Sequence, residues 1–164
     1  MKMPGIAALV LVAAPFLPAV APAEDDEIEI SFSRHSYSAV EGSEIVFKVV
    51  KEGSGDAVVG YETYWNPNSG SNRQATPGVD YETTKGELLF IGDETGKTFS
   101  VSTIDDSGAS TLGDLPAQPE GSEFFLVKLT LGSSGLQGGG DVSGGNKVVL
   151  GSPWRAAGTI LNNP

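Results

Sequence analysis

Hydrophobic and polar residues alternate along this chain with a period of two, in short runs separated by glycine, proline and serine. In "IEISFS" (28–33), Ile28, Ile30 and Phe32 fall on one side and Glu29, Ser31 and Ser33 on the other, the pattern of a strand with one buried face. "EIVFKVVK" (44–51) repeats it with Ile45, Phe47 and Val49, and "VVGYETYW" (58–65) with Val59, Tyr61 and Thr63. "GELLF" (86–90) and "KTFSVST" (97–103) are two more strands, joined by the turn-rich "IGDETG". "FFLVKLTL" (124–131) directs Phe125, Val127, Leu129 and Leu131 inward, and "AAGTIL" (156–161) closes the set. The reading is all-β: an immunoglobulin-like antiparallel β-sandwich of about seven strands. A closed barrel is the other arrangement such strands allow.

Three connections exceed what a plain sandwich needs: "NPNSGSNRQATPG", "SGASTLGDLPAQPEGS" and "GSSGLQGGGDVSGGNK". Their composition marks them as surface loops. The last contains "GGGDVSGG", similar to one copy of a calcium-binding nonapeptide. That motif works only as stacked tandem copies, so a loop is expected there too.

The first residues add a compartment. Lys2 is followed by an apolar run from Ile6 to Val20 and then by Ala21-Pro22-Ala23. That order is expected of a cleaved secretory signal peptide over 1–23, leaving one domain over 24–164 in a secreted or periplasmic setting. Pro15, Pro18 and Pro22 interrupt a run already shorter than the ~20 residues of a transmembrane helix. There is no cysteine, so disulfides and thiolate metal sites are excluded. The lone His35 excludes any site needing two histidines.

Charge narrows the partners. The net charge is −11, and removing 1–23, which holds Lys2 and no acid, makes it one unit more negative. Such a surface repels nucleic acid and anionic membranes and attracts divalent cations. Its acids lie at strand ends. Glu41 precedes the second strand, Asp80 the fourth, Asp105 and Asp106 end the fifth, and Glu120 and Glu123 precede the sixth. Strand ends of a sandwich can meet at one end of the molecule. Two carboxylates ~4 Å apart repel by about 1 kcal/mol in water and about 4 kcal/mol at an effective dielectric of 20. Convergence therefore needs solvent or a cation, and a hard ion taking ~6–8 oxygens, calcium, fits better than magnesium. A solvated acidic surface is the plain alternative.

In order, "SAVEGSE", "PGVDYETTKGELLFIGDETGKTFSVSTIDD", "EFFLVKL" and "AAGTILNN" resemble the motifs of the Calx-beta domain, a module of sodium/calcium exchangers, integrin β4 and secreted bacterial adhesion proteins. The resemblance covers residues 28–163. It implies a calcium-binding, non-enzymatic interaction or adhesion module, with Glu41, Asp80, Asp105, Asp106 and Glu123 as ligands and Glu120 as a further candidate. Two departures stand out. The family's terminal acidic run is here Asn162-Asn163, and the segment between Asp106 and Glu120 is long, which offers Asp114 as a substitute ligand.

An enzyme is the competing class, with the aspartate pair and Glu120/Glu123 as acid and base. No cofactor fingerprint or nucleophile motif accompanies them. A carbohydrate- or protein-binding module that no longer binds calcium is the other alternative. Its candidate contacts are Trp65 and Trp154, aromatic residues suited to a glycan or another extracellular protein.

Overall fold

The computed structural model describes residues 27–66, 73–105, 121–131, 141–142 and 146–161. They form ten strands: β1 (Glu27–Phe32), β2 (Ser36–Val40), β3 (Glu44–Glu52), β4 (Ala57–Tyr64), β5 (Lys85–Phe90), β6 (Gly96–Ser102), β7 (Glu123–Leu131), β8 (Asp141–Val142), β9 (Asn146–Leu150) and β10 (Arg155–Leu161). Two five-stranded sheets result, ordered β6-β3-β1-β9-β8 and β2-β10-β7-β4-β5. The fold is an all-β sandwich.

Each expected strand is present, and the alternation explains the core between the sheets. Ile28, Ile30 and Phe32 face Ile45, Phe47, Val49, Phe99 and Val101 within the first sheet, all buried. Val59, Phe90, Phe125, Val127 and Leu129 cover them from the second. Burying side chains of this size stabilises by roughly 1.5–3 kcal/mol each. The rings interlock: Phe47 stacks on Phe99 at 5.2 Å and meets Tyr37 at 4.8 Å, and Tyr61 stacks on Phe99 at 3.8 Å.

Three strands were not expected, and they change the topology. β2 has only half-buried Tyr37 and Ala39 on its inner side, so its hydrophobic contrast is weak. β9 and the two-residue β8 follow the glycine-rich stretch, whose Asp141–Val142 pairs with Asn146–Lys147 instead of being loop throughout. Nor is the sandwich antiparallel everywhere: β1 pairs with β9, and β2 with β10, in parallel. The physical reason is a double crossing. The chain leaves the first sheet after Phe32 to join the second at Ser36, and again after Leu150 to join it at Arg155. The crossings are laced together by Phe32 N donating to Pro153 O (2.7 Å), Gly151 N to Ile30 O (2.9 Å) and Ala157 N to His35 O (2.9 Å).

Leu131 departs from expectation too: at the end of β7 it is 39% exposed, beyond the covered part of the sandwich. Lys51, in contrast, continues the buried side of β3 and is 2% exposed. Its ammonium donates to the carbonyls of Gly55, at 2.6 Å, and Gly92, tying together the β3–β4 and β5–β6 turns. Lys51→Met keeps the stem and leaves both carbonyls without that donor. The expected loss is about 1–3 kcal/mol, read as a lower urea midpoint with an unchanged slope.

Candidate metal centre

At one end of the sandwich the acidic segments are joined by a closed circuit of backbone contacts. Glu41 begins the tight turn between β2 and β3, where Gly42 adopts φ 76°. The Glu41 amide donates to Leu161 O at 2.9 Å, fixing the end of β10 beside the turn. Within β10, Ile160 lies opposite Glu123, the first residue of β7. The next residue, Phe124, donates to Arg73 O (3.0 Å) and accepts from Ala75 N (2.8 Å), so residues 73–75 run alongside the start of β7. Ala75 is fully buried, an anchor the loop composition did not announce.

From there the chain makes the turn that carries Asp80. The Asp80 amide donates to Thr76 O at 3.0 Å, and the Thr76 amide donates back to the Asp80 carboxylate at 2.5 Å. Such reciprocal bonding is why aspartate suits this position. Asp80 O then accepts from Ile104 N at 2.9 Å, which places Asp80 beside Asp105.

Asp105 closes the circuit. A Cβ on Gly42 would sit 3.0 Å from Asp105 Cβ and 3.7 Å from its Oδ2, so the aspartate lies directly against the Glu41 turn. Thr103, 6% exposed, locks this contact. Its amide donates to Ser43 O at 2.9 Å, its hydroxyl donates to Ser43 O at 2.7 Å, and that hydroxyl accepts from Ser43 N at 3.0 Å.

Beneath the circuit lies Tyr81, 1% exposed, its ring stacked on Phe125 at 4.4 Å. Burial, together with the neighbouring charge of Asp80, pushes the Tyr81 hydroxyl above the usual tyrosine range. The phenol therefore stays neutral beside the acids across physiological pH.

Glu41, Asp80, Asp105 and Glu123 are thus carried by segments that meet, with Asp105 exposed and the other three half-buried. Their side chains are not drawn into a tight cluster: among the described residues no three acidic groups stand close enough together to hold a metal ion. Asp106, Asp114, Glu120, Asn162 and Asn163 lie outside the described residues. The residues that hold the acids in place, Gly42, Thr76 and Thr103, carry no charge and were not evident in the sequence. Thr103 gave the one signal, a polar residue on the same strand face as Phe99 and Val101.

The two tryptophans are both exposed, Trp65 by 55% and Trp154 by 37%, at strand ends on either side of β7. Trp154 O accepts from Leu129 N, level with the far part of β7. Trp65 follows Tyr64, which lies opposite Leu126, on the other side of an intervening strand. His35 is exposed in the first crossing.

The two-sheet fold and the acidic end define a small β-sandwich module. The Calx-beta domain family model matches residues 23–162, and the chain belongs to that family. Among solved structures, the crystal structure of the apo-form Calx CBD1 domain is similar at a TM-score of 0.61 and 26% identity, covering 84% of this chain and 99% of that one. The crystal structure of the calcium binding domain CBD12 of CALX1.1 is similar at a TM-score of 0.57 and 26% identity, covering 82% of this chain and 44% of that one. No curated protein sequence matches the chain. No helix among the described residues is long and apolar enough to cross a membrane.

Proposed function

We propose that this chain is an exported calcium-binding module that performs no catalysis of its own and takes the ion at the end of the sandwich formed by the Glu41, Asp80, Asp105 and Glu123 segments. The carrying observation is the closed backbone circuit, which brings acidic residues from four distant parts of the sequence to one end. Membership of the Calx-beta family and the likeness to a structure titled a calcium binding domain support the choice of ion. The donors also suit it. All are carboxylates on turns or strand ends, the flexible oxygen ligands that calcium accepts at about 2.3–2.6 Å. Asp106 is the natural additional ligand, being adjacent to Asp105, and Glu120 is the next. Calcium would supply positive charge that offsets carboxylate repulsion and ties the four segments together; the chain supplies the turns that hold them in reach.

The consequence is linkage, because the unfolded chain has no assembled site. Stability rises by RT ln(1 + [Ca]/Kd), about 2.7 kcal/mol at a hundredfold excess over Kd. With the ~10⁻⁴ to 10⁻³ M affinity of extracellular modules, about 1 mM calcium adds roughly 0.4–1.4 kcal/mol and should raise the melting midpoint by roughly 1–6 °C over an EDTA control, and magnesium by much less. A midpoint that ignores calcium would overturn the proposal. Export rests on the leader-like 1–23, and a role in adhesion or assembly on the non-catalytic, loop-rich character of the module. N-terminal sequencing of the secreted protein, expected to begin at Glu24, checks the first of these.

A further inference from the structure

The outer face of the second sheet carries a feature that calcium binding does not use. In the strand register Arg155 lies opposite Lys128, Lys128 opposite Glu62, and Glu62 opposite Lys85. Residues directly opposite one another share a face, so the four form one row across β10, β7, β4 and β5. Three of the chain's ten basic residues are thus aligned on a protein of net charge −11. Lys128 pairs with Glu62 at 2.8 Å. That bond, and the nearby charge of Lys85, hold the Glu62 carboxyl below its usual range. Glu62 offsets one cation and the row keeps a net charge of about +2, with the exposed Glu87, opposite Gly60 on β5, as a neighbouring acid beyond Lys85.

Flat aromatic surface accompanies the charge. The exposed Arg155 guanidinium lies 3.8 Å from the centre of the Trp154 ring and 5.9 Å from that of Tyr64, and Lys128 Nζ lies 5.5 Å from the Tyr64 ring. Among the described residues Arg155 has no carboxylate partner. Stacking holds its fork in place while leaving its donors for a planar anion, the arrangement in which arginine recognises carboxylate.

We infer that this face binds an acidic polysaccharide, with uronate carboxylates on the Arg155–Lys128–Lys85 row and sugar faces against Trp154 and Tyr64. Charge complementarity selects an anion. Three of the row's four strands, β10, β7 and β4, are hydrogen-bonded on both sides, and only β5, which carries Lys85, has an open edge, so a ligand reaching the whole row lies across the strands instead of adding to them. The row spans three strand spacings, about 14 Å, enough for several sugars. Its distance from the acidic end protects it. Lys128 is five residues along β7 from Glu123, about 17 Å, well beyond the ~8 Å screening length at physiological salt.

The test uses the whole purified protein in EDTA throughout, so that a calcium bridge plays no part and failure of the calcium proposal remains a separate result. Polygalacturonate is the probe, dextran the neutral control and poly-L-glutamate the peptide polyanion. Polygalacturonate should bind and the other two should not. Binding should weaken with added salt and fall about tenfold in Arg155→Ala. Trp154→Ala and Lys85→Ala should also weaken it, and because Arg155 and Lys85 are exposed their alanine variants should keep the wild-type melting midpoint. No binding to polygalacturonate, or binding indifferent to all three substitutions, would overturn the inference. Equal binding of poly-L-glutamate would overturn it as well, assigning the face to acidic proteins instead.

Discussion

Phe125→Ala is expected to be the most damaging single substitution in the molecule, costing about 3–5 kcal/mol. Its ring is fully buried between the sheets. It stacks on Tyr81 at 4.4 Å and lies 6.0 Å from Phe47. Its partner in β10 is Gly158, where any Cβ would run into the ring. The aromatic ring and the glycine opposite it are therefore one packing solution, and alanine at 125 leaves a cavity that Gly158 has no side chain to fill. The loss should reach the acidic end as well. Tyr81 follows Asp80 directly and rests on Phe125, so without that support the Asp80 turn loses its floor. Urea unfolding should show the lower stability, and calcium titration a weaker apparent affinity in the protein that remains folded. Phe125→Leu retains most of the volume and should show markedly less of both effects. If Phe125→Ala lowers stability but leaves calcium affinity intact, the Tyr81 stack does not support the proposed calcium site.

The same pair shows what sequence reasoning could reach. Inward-facing Phe125 was legible because Lys128 and Thr130 mark the outward side of the strand, which leaves Phe125, Val127 and Leu129 on the other. Gly158 was only one letter in a short strand, since its meaning depends on the cross-strand partner. The same limit explains β2 and β9. Their parallel partners β10 and β1 are remote in sequence, and β2 buries too little to stand out. Lys51 occupies a core-facing position that alternation assigns to an apolar residue. It is tolerated because two turn carbonyls meet its ammonium, and those turns belong to different connections between the sheets, β3 to β4 and β5 to β6. Acids at strand ends were legible for a comparable reason: the end of an alternating run is visible in one dimension. What holds them was not, because Thr103 reaches Ser43 across sixty residues, through contacts that only the fold supplies. The Arg155–Lys128–Glu62–Lys85 row was hidden in the same way, as it exists only in the register of four strands.

Gly42→Ala should combine a backbone penalty with a direct effect on the proposed calcium site, and Gly92→Ala should show the backbone penalty alone. Both glycines sit in the left-handed region, at φ 76° and φ 56°, where an L-residue costs roughly 1–2 kcal/mol. They differ in surroundings. A Cβ at Gly92 meets nothing within 4 Å, whereas at Gly42 it presses on Asp105 at 3.0 Å, against a backbone that Thr103 and Ser43 hold in place. Asp105 would have to yield, moving away from the Glu41 turn. In EDTA the two variants should lose similar stability, with Gly42→Ala somewhat the worse. In millimolar calcium they should separate: Gly92→Ala should recover the full wild-type rise in midpoint, and Gly42→Ala only a fraction of it. Equal recovery by both would mean that the contact between Gly42 and Asp105 has no bearing on calcium, and Asp105 would lose its place among the proposed ligands.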